Sequence, residues 1–166
     1  MIYSTPKDYH GIIDNIHNLL NADPTINVRN GLITEYYKYI NAEELVEGLL
    51  QKNQSGEEFR MFSNPVICIA TGNIDFKQTV PNVITGDQIE AMFFIDIIYT
   101  NDSLLEAKKQ ALLLTEDIRQ VLKESKMLVN SVYEARVTKF IEAGFIKHMD
   151  YPYYYAYRIP LKTVFR

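Results

Sequence analysis

The sequence has no tryptophan, a single cysteine and no strong excess of either charge. With Cys68 alone, an internal disulfide cannot form, and a thiolate zinc cluster cannot assemble within one chain. Such sparing use of cysteine suits a reducing compartment. Lys and Arg total 17 against 21 Asp and Glu, a net charge of −4. A protein built to grip a phosphate backbone carries the opposite balance. The longest uncharged stretch, Met61 to Ile74, has 14 residues and includes proline, asparagine and threonine. A membrane-spanning helix needs about 20 apolar residues, so none is expected. The opening segment, Met1 to Asp8, lacks the apolar run of a secretory leader. The expectation is a soluble, intracellular protein. There is no Walker-type loop, Gly-rich dinucleotide fingerprint or Gly-x-Ser-x-Gly elbow, which removes the enzyme classes those motifs mark.

What is present is the material for one domain with a real core: 166 residues, 47% hydrophobic and 23% charged. The acidic excess lies in the first half, where residues 1–83 carry 6 basic and 10 acidic groups. It is not a tail, because no long run of like charge occurs.

Periodicity predicts the elements. Tyr9, Ile12, Ile13, Ile16, Leu19 and Leu20 recur at helical spacing, giving an amphipathic helix over about 6–20. Thr5 is its expected cap, Pro6 its first residue, and the segment Asn21 to Pro24 its end. A strand is expected within Leu32–Ile40, then a helix over 42–52 opened by Asn41-Ala-Glu-Glu44. A single longer helix from about Thr34 is the alternative. Val66 to Thr71 reads as a buried strand, and Ile89 to Thr100 as the strongest strand, apolar on both faces. Between them, residues 72–88 hold Gly72, Asn73, Pro81 and Gly86, and read as a long inter-strand loop. Ser103-Leu-Leu-Glu106 opens a helix over 103–125 with a spine of Ala107, Ala111, Leu114 and Ile118. Two strands follow, Ser131–Ile141 and Tyr153–Phe165, joined by a turn containing Gly144. Pro160 makes the last strand an edge or a bulge. The expected fold class is α+β: a mostly antiparallel sheet of about four to five strands packed with two main helices, in one domain spanning 1–166 with an extended loop at about 72–88.

Candidate chemistry is thin. His10, Asp14 and His17 stand at i, i+4 and i+7 on the first helix, a spacing that could offer zinc ligands, but three groups without a fourth read better as a solvated polar face. Cys68 lies between Ile67 and Ile69, the setting of a small buried hydrophobe rather than a nucleophile. Asp75, Asp87, Glu90, Asp96 and Asp102 surround the strongest strand without the nearby Lys or His of a nuclease pattern. No catalytic residue, metal ligand or cofactor is therefore expected. Five of the twelve tyrosines fall in Tyr151-Pro-Tyr-Tyr-Tyr-Ala-Tyr157. Aromatics on a sheet can stack nucleobases, but with only Lys147, Arg158 and Lys162 for support they fit a core and protein interface better.

The second half also carries a likeness. The strand Phe93-Phe-Ile-Asp-Ile-Ile-Tyr-Thr-Asn-Asp102 runs directly into the capped helix Ser103–Ser125. Two strands follow, ending Tyr154-Tyr-Ala-Tyr-Arg-Ile-Pro-Leu-Lys-Thr-Val-Phe-Arg166, and the helix Tyr9–Leu20 precedes everything. This layout resembles the tail terminator (tail-completion) and related head–tail joining proteins of long-tailed bacteriophages. The resemblance implies a non-enzymatic virion protein, assembled in the host cytoplasm. It would form a ring, a hexamer in that family, that caps the tail tube and offers a docking surface to the head connector. DNA would pass through the lumen without specific binding, and no membrane would be involved. Neck or connector proteins and tail-tube subunits are the neighbouring readings, and a nucleic-acid-binding module on Tyr151–Tyr157 is the more distant one. Ring contacts join unlike patches. The expected patches are Asp75, Phe76, Lys77, Val83 and Ile84 in the loop, and Tyr153, Tyr155, Tyr157 and Arg158 on the last strand.

Overall fold

The computed structural model describes residues 8–30, 33, 35–54, 65–78, 87–124, 132–146 and 153–165. Four helices and six strands follow in the order α1 (Tyr9–Ala22), α2 (Pro24–Asn30), β1 (Glu35–Lys38), α3 (Ala42–Gln54), β2 (Val66–Gln78), β3 (Asp87–Asn101), α4 (Leu104–Glu124), β4 (Val132–Val137), β5 (Ile141–Ile146) and β6 (Tyr153–Phe165). The strands form one sheet in the order β1-β2-β3-β6-β4, with β5 also paired to β6. Every pairing is antiparallel except β1 with β2, which are parallel and joined through α3. The fold is α+β, as the periodicity predicts.

The long strands β3 and β6 pair along thirteen positions, from Ile89↔Phe165 to Asn101↔Tyr153. Alternation along them divides the side chains between two faces. Phe93, Ile95 and Ile97 join Tyr155, Ile159, Leu161 and Phe165 on the first face. Over it lie α1, with Ile12, Ile13, Ile16 and Leu20 fully buried, and α4, with Ala107, Ala111, Leu114 and Ile118 fully buried. Each large aliphatic side chain withdrawn from water contributes roughly 1.5–3 kcal/mol, so this face carries most of the stability. The alanines of α4 let its backbone lie close to the sheet. Among the described residues, the second face is covered by α3. There α3 places Ala42 and Val46 on Val66, Cys68, Ile98, Tyr154 and Ala156.

Several boundaries differ from expectation. The cap of α1 is Asp8, whose carboxylate accepts from the Gly11 N–H at 2.8 Å. A side chain at position 11 would collide with that carboxylate, so glycine suits the cap. Thr5 and Pro6 lie outside the described residues. Asp23 ends α1 and also caps the unexpected α2, accepting from the Ile26 N–H at 2.9 Å. The expected caps of α3 and α4 are in place: Asn41 accepts from Glu44 N–H at 2.9 Å, and Ser103 from Glu106 N–H at 3.4 Å.

The extended loop at 72–88 is largely ladder. β2 continues to Gln78 and β3 begins at Asp87, with Asp75↔Glu90 and Lys77↔Gln88 in register. Gly72 and Asn73 occupy a bulge between Thr71 and Ile74, which absorbs a turn-like pair without ending the strand. Residues 79–86 lie outside the described residues. The expected turn at Gly144 is also strand: β5 bulges between Glu142 and Gly144 and goes on to Ile146. Pro160 does not put β6 at an edge. β4 pairs with β6 as far as Leu161 and β5 takes over at Arg158, so the outer ladder breaks where a proline has no N–H to donate. Among the described residues, no helix is long and apolar enough to cross a membrane.

Candidate functional site

The second sheet face holds the most informative polar geometry. Asp96 is fully buried there, directly opposite Arg158 on the neighbouring strand. The Arg158 guanidinium donates to it twice, Nε to Oδ1 at 2.8 Å and Nη2 to Oδ2 at 2.9 Å. Oδ2 also accepts from the Ala42 N–H at 2.8 Å, the first residue of α3. Arg158 reaches Glu43 on the same helix at 2.8 Å. A buried carboxylate is thus neutralised by one arginine, and both are used to seat the positive end of a helix dipole. Its hydrogen bonds to Asp96 hold the Arg158 guanidinium yet more firmly protonated than usual.

Next to this pair the face opens. The Phe94 ring lies under the Arg158 guanidinium, 4.7 Å from its centroid, and over Gly72, where a Cβ would come within 2.6 Å of the ring. Among the described residues, Met92, Phe94, Ile141 and Pro160 line a trough of about 370 Å³. Its rim is charged, with Glu90 paired to Lys162 at 3.2 Å and Asp75 close by. On the opposite side of the molecule α4 turns Leu105, Leu112 and Leu113 to solvent, 59%, 45% and 43% exposed. Sequence reasoning followed only the buried spine of this helix. The signal it passed over is the run Leu112-Leu113-Leu114, of which a helix on a sheet can bury only Leu114.

The expected patches are dispersed. Asp75 is exposed at the trough, and Phe76 is 65% exposed on the extended part of β2. Lys77 lies on β2, while Val83 and Ile84 fall outside the described residues. Tyr153 begins β6. Tyr155 is fully buried in the main core, Tyr157 packs half-buried against it, and Arg158 is held by Asp96 and Glu43. Tyr154 is buried beneath α3. Neither Tyr154 nor Tyr155 can therefore offer a free ring for base stacking.

The groups considered for chemistry have structural partners. His10 Nδ1 lies 2.7 Å from the Tyr39 hydroxyl, Asp14 pairs with Lys38 at 2.8 Å, and His17 packs on Tyr36 at 4.5 Å between ring centroids. His10 and Asp14 are exposed, as a solvated face requires, and with the half-buried His17 they line a seam between α1 and the β1 segment. Burial, then the charge of Lys38, pushes the His17 pKa down, and the bond from Lys38 lowers that of Asp14. Tyr39 adopts a left-handed backbone (φ 65°) and donates its N–H to the Ile69 carbonyl at 2.7 Å, turning the chain from β1 into α3. Cys68 is fully buried, and burial pushes its thiol well above the ordinary range. Among the described residues, no three His, Cys, Asp or Glu side chains cluster as metal ligands would.

No protein-family model matches this chain, and no curated protein sequence does. In three dimensions it is similar to a chain of a solved structure titled as the virion of a native gene transfer agent particle. The TM-score is 0.53 at 12% identity, and the likeness covers 93% of this chain and 94% of that one. At that identity the likeness carries the fold: this α+β architecture also occurs, over nearly its whole length, in a protein of that particle.

Proposed function

We propose that this chain is a non-enzymatic structural protein of a phage-like particle, and within that class a tail terminator. In this reading it forms a ring, a hexamer as in the family it resembles, that caps the tail tube. The ring meets the head connector or neck protein, and DNA passes through its lumen without specific contacts. The protein would reside in the virion tail after assembly in the host cytoplasm.

The observation that carries the reading is the end-to-end fold likeness to a protein of a gene transfer agent virion. Two features support it. The described side chains with catalytic potential are spent on structure: Cys68 is buried, Asp96 is paired, and the α1 residues are engaged with β1. Large apolar groups instead remain on the surface, at Phe76 and along α4, as an assembling subunit requires. Of the earlier-named interface residues whose exposure is described, Asp75 and Phe76 are exposed and Tyr157 and Arg158 are half-buried.

Size exclusion with light scattering over a wide concentration range, followed by negative-stain imaging, tests this. The samples are the chain alone and the chain mixed with tail tube protein. Closed rings with a hole wide enough for a duplex are expected. Open-ended tubes built by the chain alone would assign it instead to the tube. A monomer that persists even with tail tubes present would overturn the ring.

A further inference from the structure

The outer side of α4, turned away from the sheet, carries its charges in a symmetric order. Leu112 and Leu113 stand at the middle, 45% and 43% exposed. Before them come Glu106 and Lys109, three residues apart and paired at 3.6 Å. After them come Glu116 and Arg119, also three residues apart and joined by two hydrogen bonds of 2.6 and 2.8 Å. Lys109 precedes Leu112 by the same three positions by which Glu116 follows Leu113. At about 100° per residue, these six side chains fall within roughly 140° of the helix circumference. Ala107, Ala111, Leu114 and Ile118 lie on the other side, fully buried against the sheet.

Turned end for end about the point between the two leucines, the row keeps its spacing and reverses its charges. Leu112 falls on Leu113, Lys109 on Glu116, and Glu106 on Arg119. Leu105 falls on the neutral Gln120, and just before the helix Asp102 falls on Lys123. Contacts within the helix account for each acid–base pair. They do not account for two leucines left in water between the pairs, or for the equal spacing on either side. A patch that complements itself under a half-turn is what a two-fold contact requires.

We infer that the outer side of α4 binds the same side of a second copy of this chain, the two helices antiparallel and the leucines at the centre. Glu106 and Lys109 of one copy then meet Arg119 and Glu116 of the other. Each charge has an opposite neighbour along its own helix and another across the contact. The pairs are already held within each helix, so joining them costs less side-chain freedom than bringing isolated charges together. Antiparallel packing also sets the positive end of each helix dipole beside the negative end of the other. A parallel arrangement would set Lys109 on Lys109 and Glu116 on Glu116. Neighbours in a cyclic ring meet through unlike patches, so this contact lies outside the ring proposed above and does not depend on it. It joins two free subunits, or two rings through their outer helices.

Charge reversal tests the contact. Lys109→Glu sets acid against acid and Glu116→Lys sets base against base, twice in each pair of copies, whereas the two variants mixed are complementary again. Light scattering after size exclusion over a wide concentration range should show the native chain paired, as two subunits or two rings. Each variant alone should have its paired fraction lowered at least tenfold with circular dichroism unchanged, and the equal mixture should recover it. Added salt should weaken the native pairing. Leu105→Cys and Gln120→Cys, treated with a short bis-maleimide, should link to each other and not to themselves; the native thiol, Cys68, is fully buried and does not interfere. Self-linking of each cysteine variant without linking in the mixture would mean parallel helices and would overturn the inference. Pairing that survives both charge reversals would place the contact on another face and overturn it too. A native chain that never pairs would overturn it and leave this side of α4 to a different partner, while single rings formed by that chain on tail tubes would leave the proposed function standing.

Discussion

Arg158 and Asp96 face each other across adjacent strands, and two hydrogen bonds join them above the sheet face that α3 caps. Removing Asp96 leaves Arg158 with the exposed Glu43 as its remaining partner, and removing Arg158 leaves Asp96 buried with the Ala42 N–H alone. Asp96→Ala leaves a largely desolvated guanidinium and frees the α3 N-terminus, and should cost about 3–5 kcal/mol in urea unfolding. The double change Asp96→Leu with Arg158→Met should recover most of that loss, because no uncompensated charge remains. About 1 kcal/mol should stay missing for the Ala42 N–H. Simple addition of the two single losses in the double variant would show that the pair is not coupled as the geometry requires.

Gly72 leaves room for the Phe94 ring beneath Arg158. Gly72→Ala places a methyl group against the ring edge, so the ring must leave its present place beneath the guanidinium. A loss of about 1 kcal/mol is expected, with a larger loss for Gly72→Val. An unchanged midpoint in thermal unfolding of Gly72→Val would mean that the ring has free room to move.

Acidification should loosen the α1–β1 seam. His17 is held below its ordinary value of 6.5, chiefly by burial, with Asp14 opposing the shift. The unfolded chain therefore takes up the proton first. Stability contributed by the neutral ring is present above pH 6.5 and falls as the pH drops through 6.5 toward the folded value. The Asp14–Lys38 pair fails separately, below the ordinary carboxylate value of 3.8. Thermal midpoints at pH 7.5 and 5.5 should differ, and His17→Gln should narrow the gap. A gap of the same size in His17→Gln would place the acid sensitivity elsewhere.

Cys68 should be silent toward thiol reagents in the folded protein. Its side chain is inaccessible, and its thiolate is disfavoured by burial and by the nearby charge of Asp96. Labelling with an aromatic disulfide should proceed only as the chain unfolds, so its rate should rise with added denaturant. Prompt stoichiometric labelling in native buffer would contradict the packing of β2.

Much of this architecture is legible in the residues because it rests on local physics. The alternation of Phe93, Ile95 and Ile97, the alanine and leucine spine of α4, and the caps at Asn41 and Ser103 are short-range signals, and each appears where the pattern predicts. The misread loop and the misread turn have one source. Gly72-Asn73 and Gly144 carry turn chemistry, yet both sit at bulges where long partner strands carry the ladder past them. Asp23 was legible as a helix stop but not as the cap of the next helix. The trough, the exposed leucines of α4 and the Asp96–Arg158 pair are products of tertiary placement. Sixty-two residues separate Asp96 from Arg158, and no spacing rule joins them.

The position of β6 has a consequence for the newly made chain. This strand comes after all the others in sequence, yet it lies inside the sheet, holding β3 on one side and β4 and β5 on the other. A nascent chain that has reached α4 owns the β2–β3 hairpin and the helices, but has nothing to pair with the far edge of β3. At roughly 5–20 residues per second, the ribosome needs seconds more to deliver the missing strand. During that interval the apolar edge that later becomes the middle of the molecule stands open. A half-made chain is thus exposed to premature edge-to-edge pairing before it is finished, and chaperones that shield β-edges should raise its yield.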